Sequence, residues 1–359
     1  MMWDILQGMC LKGEDCDMLC ALDSPSLREG DVLPVDGRIV INSHGSCFCV
    51  PAITKKAATM ISPAMVVWLR RHCREYDVIH VHHPDPMAAL ALFFSGYRGK
   101  VVLHWHSDIL KQRFILFFYR PLQNWLARRA DLITGTTPVY VEQTPHLKNF
   151  REKLSYVPIG VEDYSIFQQK SLNLSDVVRG RRVVFSLGRL VEYKGYEHLV
   201  DAAKFLPDGY LTVIGGSGPL EKNLRERIAD NGLEGKVLLT GYLDDAQAHA
   251  WMKACDVFVL SSIYRTEAFG IVQIEAMSCG KPVVATLIPG SGTSWVNADG
   301  VSGRNVPVGD PRAIADAVLG ITSSDEVYEG YSRRARKRYE ELFTRERMIE
   351  KLVEIYRSL

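Results

Sequence analysis

The sequence predicts an α/β protein built from two doubly wound, Rossmann-like domains with parallel sheets. Three observations carry this. Short β-rich runs alternate with helical patterns along most of the chain, the order that βαβ units require. In the second half those runs are almost continuously apolar, as suits parallel strands covered on both faces. The 359 residues are enough for two domains of about 100–200 residues each.

In the first half, residues 38–42, 78–82, 101–105, 132–134 and 154–157 read as strands, with helices over 55–74 and 109–129. In the second half, 183–187, 211–214, 237–240, 257–260 and 283–285 read as buried strands. The run Val157-Pro-Ile-Gly-Val161 breaks both periodicities, and a polar stretch over 168–180 precedes the next strand. The expected domains are therefore 1–160, 161–335 and a last helical segment, 336–359, packing back on the first domain. Leu342, Met348, Ile349, Leu352, Ile355 and Tyr356 are its candidate apolar face. Residues 1–12 read as a helix, with Trp3, Leu6, Met9 and Cys10 at helical spacing.

Composition narrows the function. Lys and Arg number 43 against 42 Asp and Glu, a net charge of +1, which argues against bulk attraction to nucleic acid. With 47% hydrophobic and 24% charged residues the chain is neither disordered nor collagen-like. No apolar run approaches the ~20 residues of a membrane span. No basic region followed by an apolar core opens the chain, so a cytoplasmic protein is expected. Six of the eight cysteines precede residue 74, none in a Cys-x2-Cys pair. They are expected to be reduced, packed as small apolar groups and free of metal.

Three segments of the second half would converge at the C-terminal strand ends, where ligands of such sheets bind. In Phe185-Ser-Leu-Gly-Arg-Leu-Val-Glu-Tyr-Lys-Gly195, Gly188 ends a strand, and Arg189 and Lys194 follow as a clamp suited to a diphosphate. Solvated surface cations would look the same. In Val213-Ile-Gly-Gly-Ser-Gly-Pro219, Gly216 and Gly218 permit close backbone approach and Pro219 opens a helix. The full G-x-G-x-x-G spacing is lacking, which weakens a rival reading as an NAD-dependent oxidoreductase.

The third segment is Glu267-Ala-Phe-Gly-Ile-Val-Gln-Ile-Glu-Ala-Met-Ser-Cys-Gly-Lys-Pro282. A helix starting near Phe269 would aim the free amides of Gly270, Ile271 and Val272 at an anion. Glu275 would lie roughly 9 Å further along the axis, letting the two carboxylates meet opposite ends of an extended ligand. Ile274, Ala276 and Met277 flank Glu275, a poor setting for a carboxylate without a partner.

In this order, and with the Gly280-Lys-Pro-Val-Val284 strand entry, these segments resemble the retaining glycosyltransferases of family 4, of the bacterial surface-polysaccharide type. The resemblance is close over residues 180–320 and looser towards the N-terminus. It implies the GT-B fold: two Rossmann-like domains facing across a cleft, with the C-terminal helix crossing back to the first. It implies that Arg189 and Lys194 neutralise the donor diphosphate and that Glu275 binds the ribose hydroxyls. Glu267 would hold sugar hydroxyls, while the amides from Phe269 to Val272 cap the phosphate and Gly188, Gly216 and Gly218 line the donor. In Val101-Val-Leu-His-Trp-His-Ser-Asp108, His106 matches a strand-end histidine facing the donor sugar, with His104 the weaker match. His80, His82 and His83 remain as acceptor-side residues.

The implied reaction moves a hexose from a UDP- or GDP-sugar to a glycan or lipid-linked oligosaccharide. It uses no cofactor, and no Asp-x-Asp element is expected to serve a metal. The segment Pro289-Gly-Ser-Gly-Thr-Ser-Trp-Val-Asn297 carries the likeness to surface-polysaccharide members. A non-catalytic subunit that keeps the fold is the other rival reading.

Residues 111–129 carry five cations, no acid and five aromatics, split by Pro121 into two expected helical pieces. Lys111, Arg113, Arg128 and Arg129 would suit the inner, anionic face of a membrane, and an ordinary amphipathic helix fits equally well. Members of the family usually open with a strand and a glycine-rich loop before the first helix, whereas residues 1–12 already read as that helix. In a sheet of order 3-2-1-4-5 the first strand is central, so its neighbours would be left unpaired. The expectation is an open reading frame that starts upstream, or a chain of low stability and activity.

Overall fold

The computed structural model describes residues 1–22, 37–56, 59–108, 113–167 and 174–359, with the side chains of 113–116 excepted. The chain forms two compact units, Met1–Gly160 with Arg345–Leu359, and Val161–Thr344.

The first unit opens on the helix Met2–Leu11, which buries Ile5, Leu6, Met9 and Cys10 and leaves Trp3 exposed. Its strands fall into separate sheets. Met18–Leu22, Gly45–Pro51 and Arg38–Asn42 form a three-stranded sheet in that spatial order. Val78–His83, Lys100–Trp105, Leu132–Gly135 and Leu154–Tyr156 form a four-stranded, wholly parallel one. Among the described residues, Met18–Leu22 and Val78–His83 are both sheet edges.

The helix expected over 55–74 is confined to Pro63–His72. Thr54–Lys56 and Thr59–Ile61 pair instead as antiparallel strands, and 57–58 lie outside the described residues. The boundary has a local cause: the Ser62 hydroxyl accepts from the Met65 amide, and Pro63 presets the first helical φ. Arg113–Arg129 is one helix running through Pro121 rather than two pieces. Tyr119, Gln123 and Leu126 are buried on either side of that proline, and their packing outweighs the single donor it removes. Residues 109–112, Lys111 among them, lie outside the described residues.

The last helix, Arg345–Ser358, lays Met348, Ile349, Leu352 and Ile355 on Ile5, Met9, Val102 and Val157. Each such side chain contributes about 1.5–3 kcal/mol when fully buried. At the start of this helix Arg345 reaches Asp4 at 2.6 Å.

The second unit is a six-stranded parallel sheet. Its order is Val237–Gly241, Tyr210–Gly215, Arg182–Leu187, Val257–Leu260, Val283–Thr286 and Gly303–Val306. The last strand escapes a hydrophobicity reading because Arg304 and Asn305 interrupt it at the sheet edge. Helices such as Tyr196–Ala202 and Pro311–Ile321 cover this sheet with Leu199, Val200, Ile314 and Val318.

Chain order reverses between Arg182–Leu187 and Val257–Leu260, so the loops leaving these two strands open a crevice at their C-terminal ends. The helical tail divides at Phe343, so 336–344 stay with the second unit, where Asp325–Leu342 ends, and Arg345 begins the helix of the first. Arg336 clamps Asp163 with two bonds of 2.6 and 2.8 Å, tying that helix to the unit's entry segment. Of the polar stretch 168–180, residues 168–173 lie outside the described residues.

Candidate functional site

The crevice of the second unit is built from three loops joined by backbone bonds. The Gly188 amide donates to Gly215 at 3.0 Å and the Leu190 amide to Ser217 at 3.0 Å. Gly216 holds φ at +134°, and a Cβ there would lie 1.9 Å from the Gly188 carbonyl oxygen, so only glycine lets these turns meet. Across the crevice the Ile263 amide donates to Tyr193 at 2.8 Å, and the Ser261 hydroxyl donates to the Lys194 carbonyl at 2.8 Å. Turns that would read singly as structural punctuation are thus brought to one place.

Lys194 and Glu267 meet there. The ammonium donates to Oε2 of Glu267 at 2.5 Å, and the Ser262 hydroxyl donates to the same oxygen at 2.9 Å. The Ser291 hydroxyl donates to the Glu267 carbonyl, which fixes its backbone. Ser262 has no signal in the sequence, since a buried hydroxyl leaves no periodicity, and Ser291 lies in the Pro289–Asn297 segment without being marked out within it. Arg189 is exposed, with no carboxylate partner among the described residues.

Gly270, at φ +73°, turns the chain into the helix Ile271–Ser278, and a Cβ there would meet Gln273 and Leu260 at 2.8 Å. The first-turn amides, those of Ile271 and Val272 among them, lack intrahelical acceptors and carry the positive end of the helix dipole. The Phe269 side chain is buried edge-on against Phe343, so only its backbone is available to a ligand.

Glu275 lies along the same helix, half-buried, and its Oε1 accepts from the Tyr164 hydroxyl at 3.1 Å. Burial pushes its carboxyl pKa above the ordinary value. The Tyr164 bond opposes this, and the charge of Asp245 adds to it. Tyr164 is held by its amide on Ser278 Oγ at 3.2 Å and by its ring against His249 at 4.2 Å. It was not read from the sequence, because nothing in Val161-Glu-Asp-Tyr164 points to a helix about a hundred residues on.

In the first unit the histidines form a ladder. His80 and His82 share one face of their strand, and the register sets His82 beside His104. Centroids are 4.6 Å apart for His80–His82, 5.3 Å for His82–His104 and 4.2 Å for His104–His106. His82 Nδ1 and His106 Nε2 share a hydrogen bond of 2.8 Å, and the Tyr356 hydroxyl meets His80 Nδ1 at 2.5 Å. Both ring nitrogens of His104 are buried without a partner among the described residues.

Burial holds the rings neutral: the pKa of His80 falls to about 3 and that of His106 to about 4. A smaller part of the second shift comes from the N-terminal ammonium. Ring nitrogens of His80, His82 and His104 lie within 4.8 Å of one another, yet the rings are near-parallel, at 9–19°. Their lone pairs run side by side instead of converging on an ion. His83 is not on this face: it stacks on Trp105 at 3.7 Å inside the core, which removes it as an acceptor-side residue.

An Asp-x-Asp triplet is present after all, at Asp15-Cys16-Asp17, and it serves the fold. Asp15 meets the His44 ring at 3.0 Å, and Asp17 accepts from the Ser46 amide and the Tyr76 hydroxyl at 2.8 Å each. Arg129, expected to face a membrane, is likewise committed. It reaches Asp131 at 3.3 Å and the Gly99 carbonyl at 2.6 Å.

Residues 169–338 match the family model described as glycosyl transferases group 1, and residues 2–160 match the glycosyl transferase 4-like domain. O-antigen chain mannosyltransferase C of Escherichia coli is 30% identical over 99% of this chain and 93% of its own length. D-rhamnosyltransferase WbpZ of Pseudomonas aeruginosa is 32% identical over 80% of this chain and 75% of its own. Among solved structures, Anabaena HepE in complex with UDP-glucose has a TM-score of 0.67 at 25% identity, covering 83% of each chain. Sucrose-phosphate synthase of Thermosynechococcus elongatus has a TM-score of 0.75 at 20% identity, covering 99% of this chain and 92% of its own.

Proposed function

This chain belongs to the group 1 glycosyltransferases and has the GT-B fold, and we propose that it moves a hexose from a UDP- or GDP-sugar, with retention, to a lipid-linked oligosaccharide of a surface polysaccharide. The observation that carries the donor half is the meeting of the Arg189 loop, the Lys194–Glu267 pair and the start of the helix Ile271–Ser278 at one strand-end crevice. As the bond to the anomeric carbon breaks, negative charge grows on the departing diphosphate. Arg189, Lys194 and the first-turn amides stabilise it electrostatically, and fixed donors of this kind are usually the largest single contribution to such a step. The cations of the chain carry this charge, and no metal is assigned to the step.

Glu267 then orients sugar hydroxyls and Glu275 accepts from the ribose hydroxyls. His106, neutral through burial, hydrogen-bonds the sugar without adding charge. A polysaccharide acceptor is supported by the relatives, an O-antigen chain mannosyltransferase and a D-rhamnosyltransferase. Peripheral binding to an anionic membrane is the corresponding proposal for the acceptor side. Among the described residues no helix is long and apolar enough to cross a membrane, while Arg113–Arg129 exposes Phe117, Phe118, Arg120 and Arg128.

The test is a panel of UDP- and GDP-hexoses with and without a lipid-linked acceptor, read as nucleoside diphosphate released, with the product's anomeric configuration assigned by NMR. Acceptor-dependent release with the donor's configuration kept is expected. Inversion removes the retaining mechanism. Absence of release from every donor, with or without acceptor, leaves a binding subunit.

A further inference from the structure

Three thiols of the first unit meet at one point, one of them far in sequence from the other two. Cys20 lies in the strand Met18–Leu22, and Cys47 and Cys49 lie in Gly45–Pro51. The strands pair in parallel with Cys20 opposite Cys49, and Cys47 shares a face with Cys49 two residues on. The sulfurs are 3.5 Å apart for Cys20–Cys49, 3.6 Å for Cys20–Cys47 and 3.8 Å for Cys47–Cys49. None is in a disulfide.

Sulfurs bound at about 2.3 Å to one ion stand roughly 3.8–4.0 Å apart in tetrahedral or trigonal geometry. The observed triangle is within a few tenths of an ångström of that. Plain apolar packing also brings sulfurs into contact, but the closed triangle, drawn from two paired strands, favours a ligand set. Cys20 and Cys49 are also half-exposed, so an ion has a way in, while Cys47 forms the buried floor.

We propose that Cys20, Cys47 and Cys49 form a three-thiolate site for a thiophilic closed-shell cation, Zn2+ or Cu+, with any fourth position left to water. Loading releases the thiol protons to solvent and changes no oxidation state. The ion clips the edge strand Met18–Leu22 to its neighbour, a structural role independent of the glycosyl-transfer chemistry. Sequence spacing hides the site because Cys20 lies 27 and 29 residues from Cys47 and Cys49 and on another strand.

The full chain, purified under reducing conditions without chelator, is titrated separately with Zn2+ and Cu+, and bound metal is measured by mass spectrometry. Stoichiometric retention of one of them is expected. Co2+ as a probe gives thiolate-to-metal charge-transfer absorption, and the bound ion protects the three thiols from a thiol reagent. Cys49→Ser weakens metal binding by at least about tenfold, and Cys73→Ala, outside the cluster, leaves it unchanged. The thiol-protection measurement on the unmodified chain stands even where a variant fails to fold. No retention of either ion, or unchanged retention in Cys49→Ser and Cys20→Ser, overturns the proposal. A Cys20–Cys49 disulfide forming under mild oxidation with no metal uptake overturns it too.

Discussion

The ammonium of Lys194 is already engaged by the carboxylate of Glu267, at 2.5 Å between Nζ and Oε2, with both side chains only 11% exposed. Two charges so far out of water depend on each other, and the Ser262 hydroxyl supports the same oxygen. On the proposed reading a diphosphate entering the crevice would share a cation that is positioned in advance, and the pair would couple donor binding to the carboxylate assigned to the sugar.

This coupling can be measured as a cycle. Lys194→Met leaves Glu267 buried without its cation and should cost about 3 kcal/mol in urea unfolding. The double variant Lys194→Met/Glu267→Leu should recover most of that loss, while nucleotide-sugar turnover stays abolished in both. Additive stability losses would show that the two groups do not depend on each other.

Arg189 offers the opposite combination. It is exposed and lacks a carboxylate partner among the described residues, so Arg189→Ala should change stability by no more than about 0.5 kcal/mol. Turnover should fall at least about tenfold through loss of diphosphate stabilisation. A near-normal rate would remove Arg189 from the donor site.

Much of this strand-end crevice is legible in the sequence, and the reason is physical. Gly216 and Gly270 stand where no side chain fits, and charged residues cluster after apolar strands, so both leave marks in the residue order. Contacts made by ordinary residues leave none. Tyr164 reaches Glu275 across 111 positions, and Gly303–Val306 goes unread as a strand because half of it is polar. Arg129 reads as a membrane cation in the sequence, but its guanidinium is committed to the Gly99 and Tyr97 carbonyls. The helix expected over 55–74 failed for a related reason: paired strands take up its first residues, and only Ser62 and Pro63 mark the true start.

Glu275 should show stability traded for function. Burial raises its carboxyl pKa, so the folded state disfavours the ionised form that prevails at neutral pH. Glu275→Gln should therefore leave stability unchanged or raise it, while UDP or GDP affinity, whichever base is used, falls about tenfold with the lost ribose bonds. Titration calorimetry beside thermal unfolding checks both halves. A variant that loses stability but keeps nucleotide affinity would make Glu275 a structural residue.

The histidine ladder sets an acid limit on the first unit. Burial lowers the folded pKa of His80 to about 3 and of His106 to about 4, from an ordinary 6.5. Between these values the unfolded chain binds more protons, so stability is fully present above about pH 6.5 and is lost as pH falls towards about 4. The urea midpoint should drop between about pH 7.5 and about pH 5, and His104→Leu, removing a ring with no hydrogen-bond partner, should flatten that slope. A pH-independent midpoint over this window would mean that the rings are solvated.

The membrane proposal separates two kinds of side chain on one helix. Phe117 and Phe118 are 72% and 67% exposed, an apolar pair with nothing to gain from water, beside the exposed cations Arg120 and Arg128. Arg120→Ser/Arg128→Ser should weaken binding to anionic vesicles by about 2 kcal/mol, roughly thirtyfold, and the loss should shrink as salt is added. Phe117→Ser/Phe118→Ser should weaken it at all salt concentrations, because burial of apolar surface is not screened. Arg129→Ser should instead lower stability, since that guanidinium holds the Gly99 and Tyr97 carbonyls and Asp131. If vesicle binding survives both double substitutions, this helix is not the surface that meets the membrane, and the proposed lipid-linked acceptor loses its structural support.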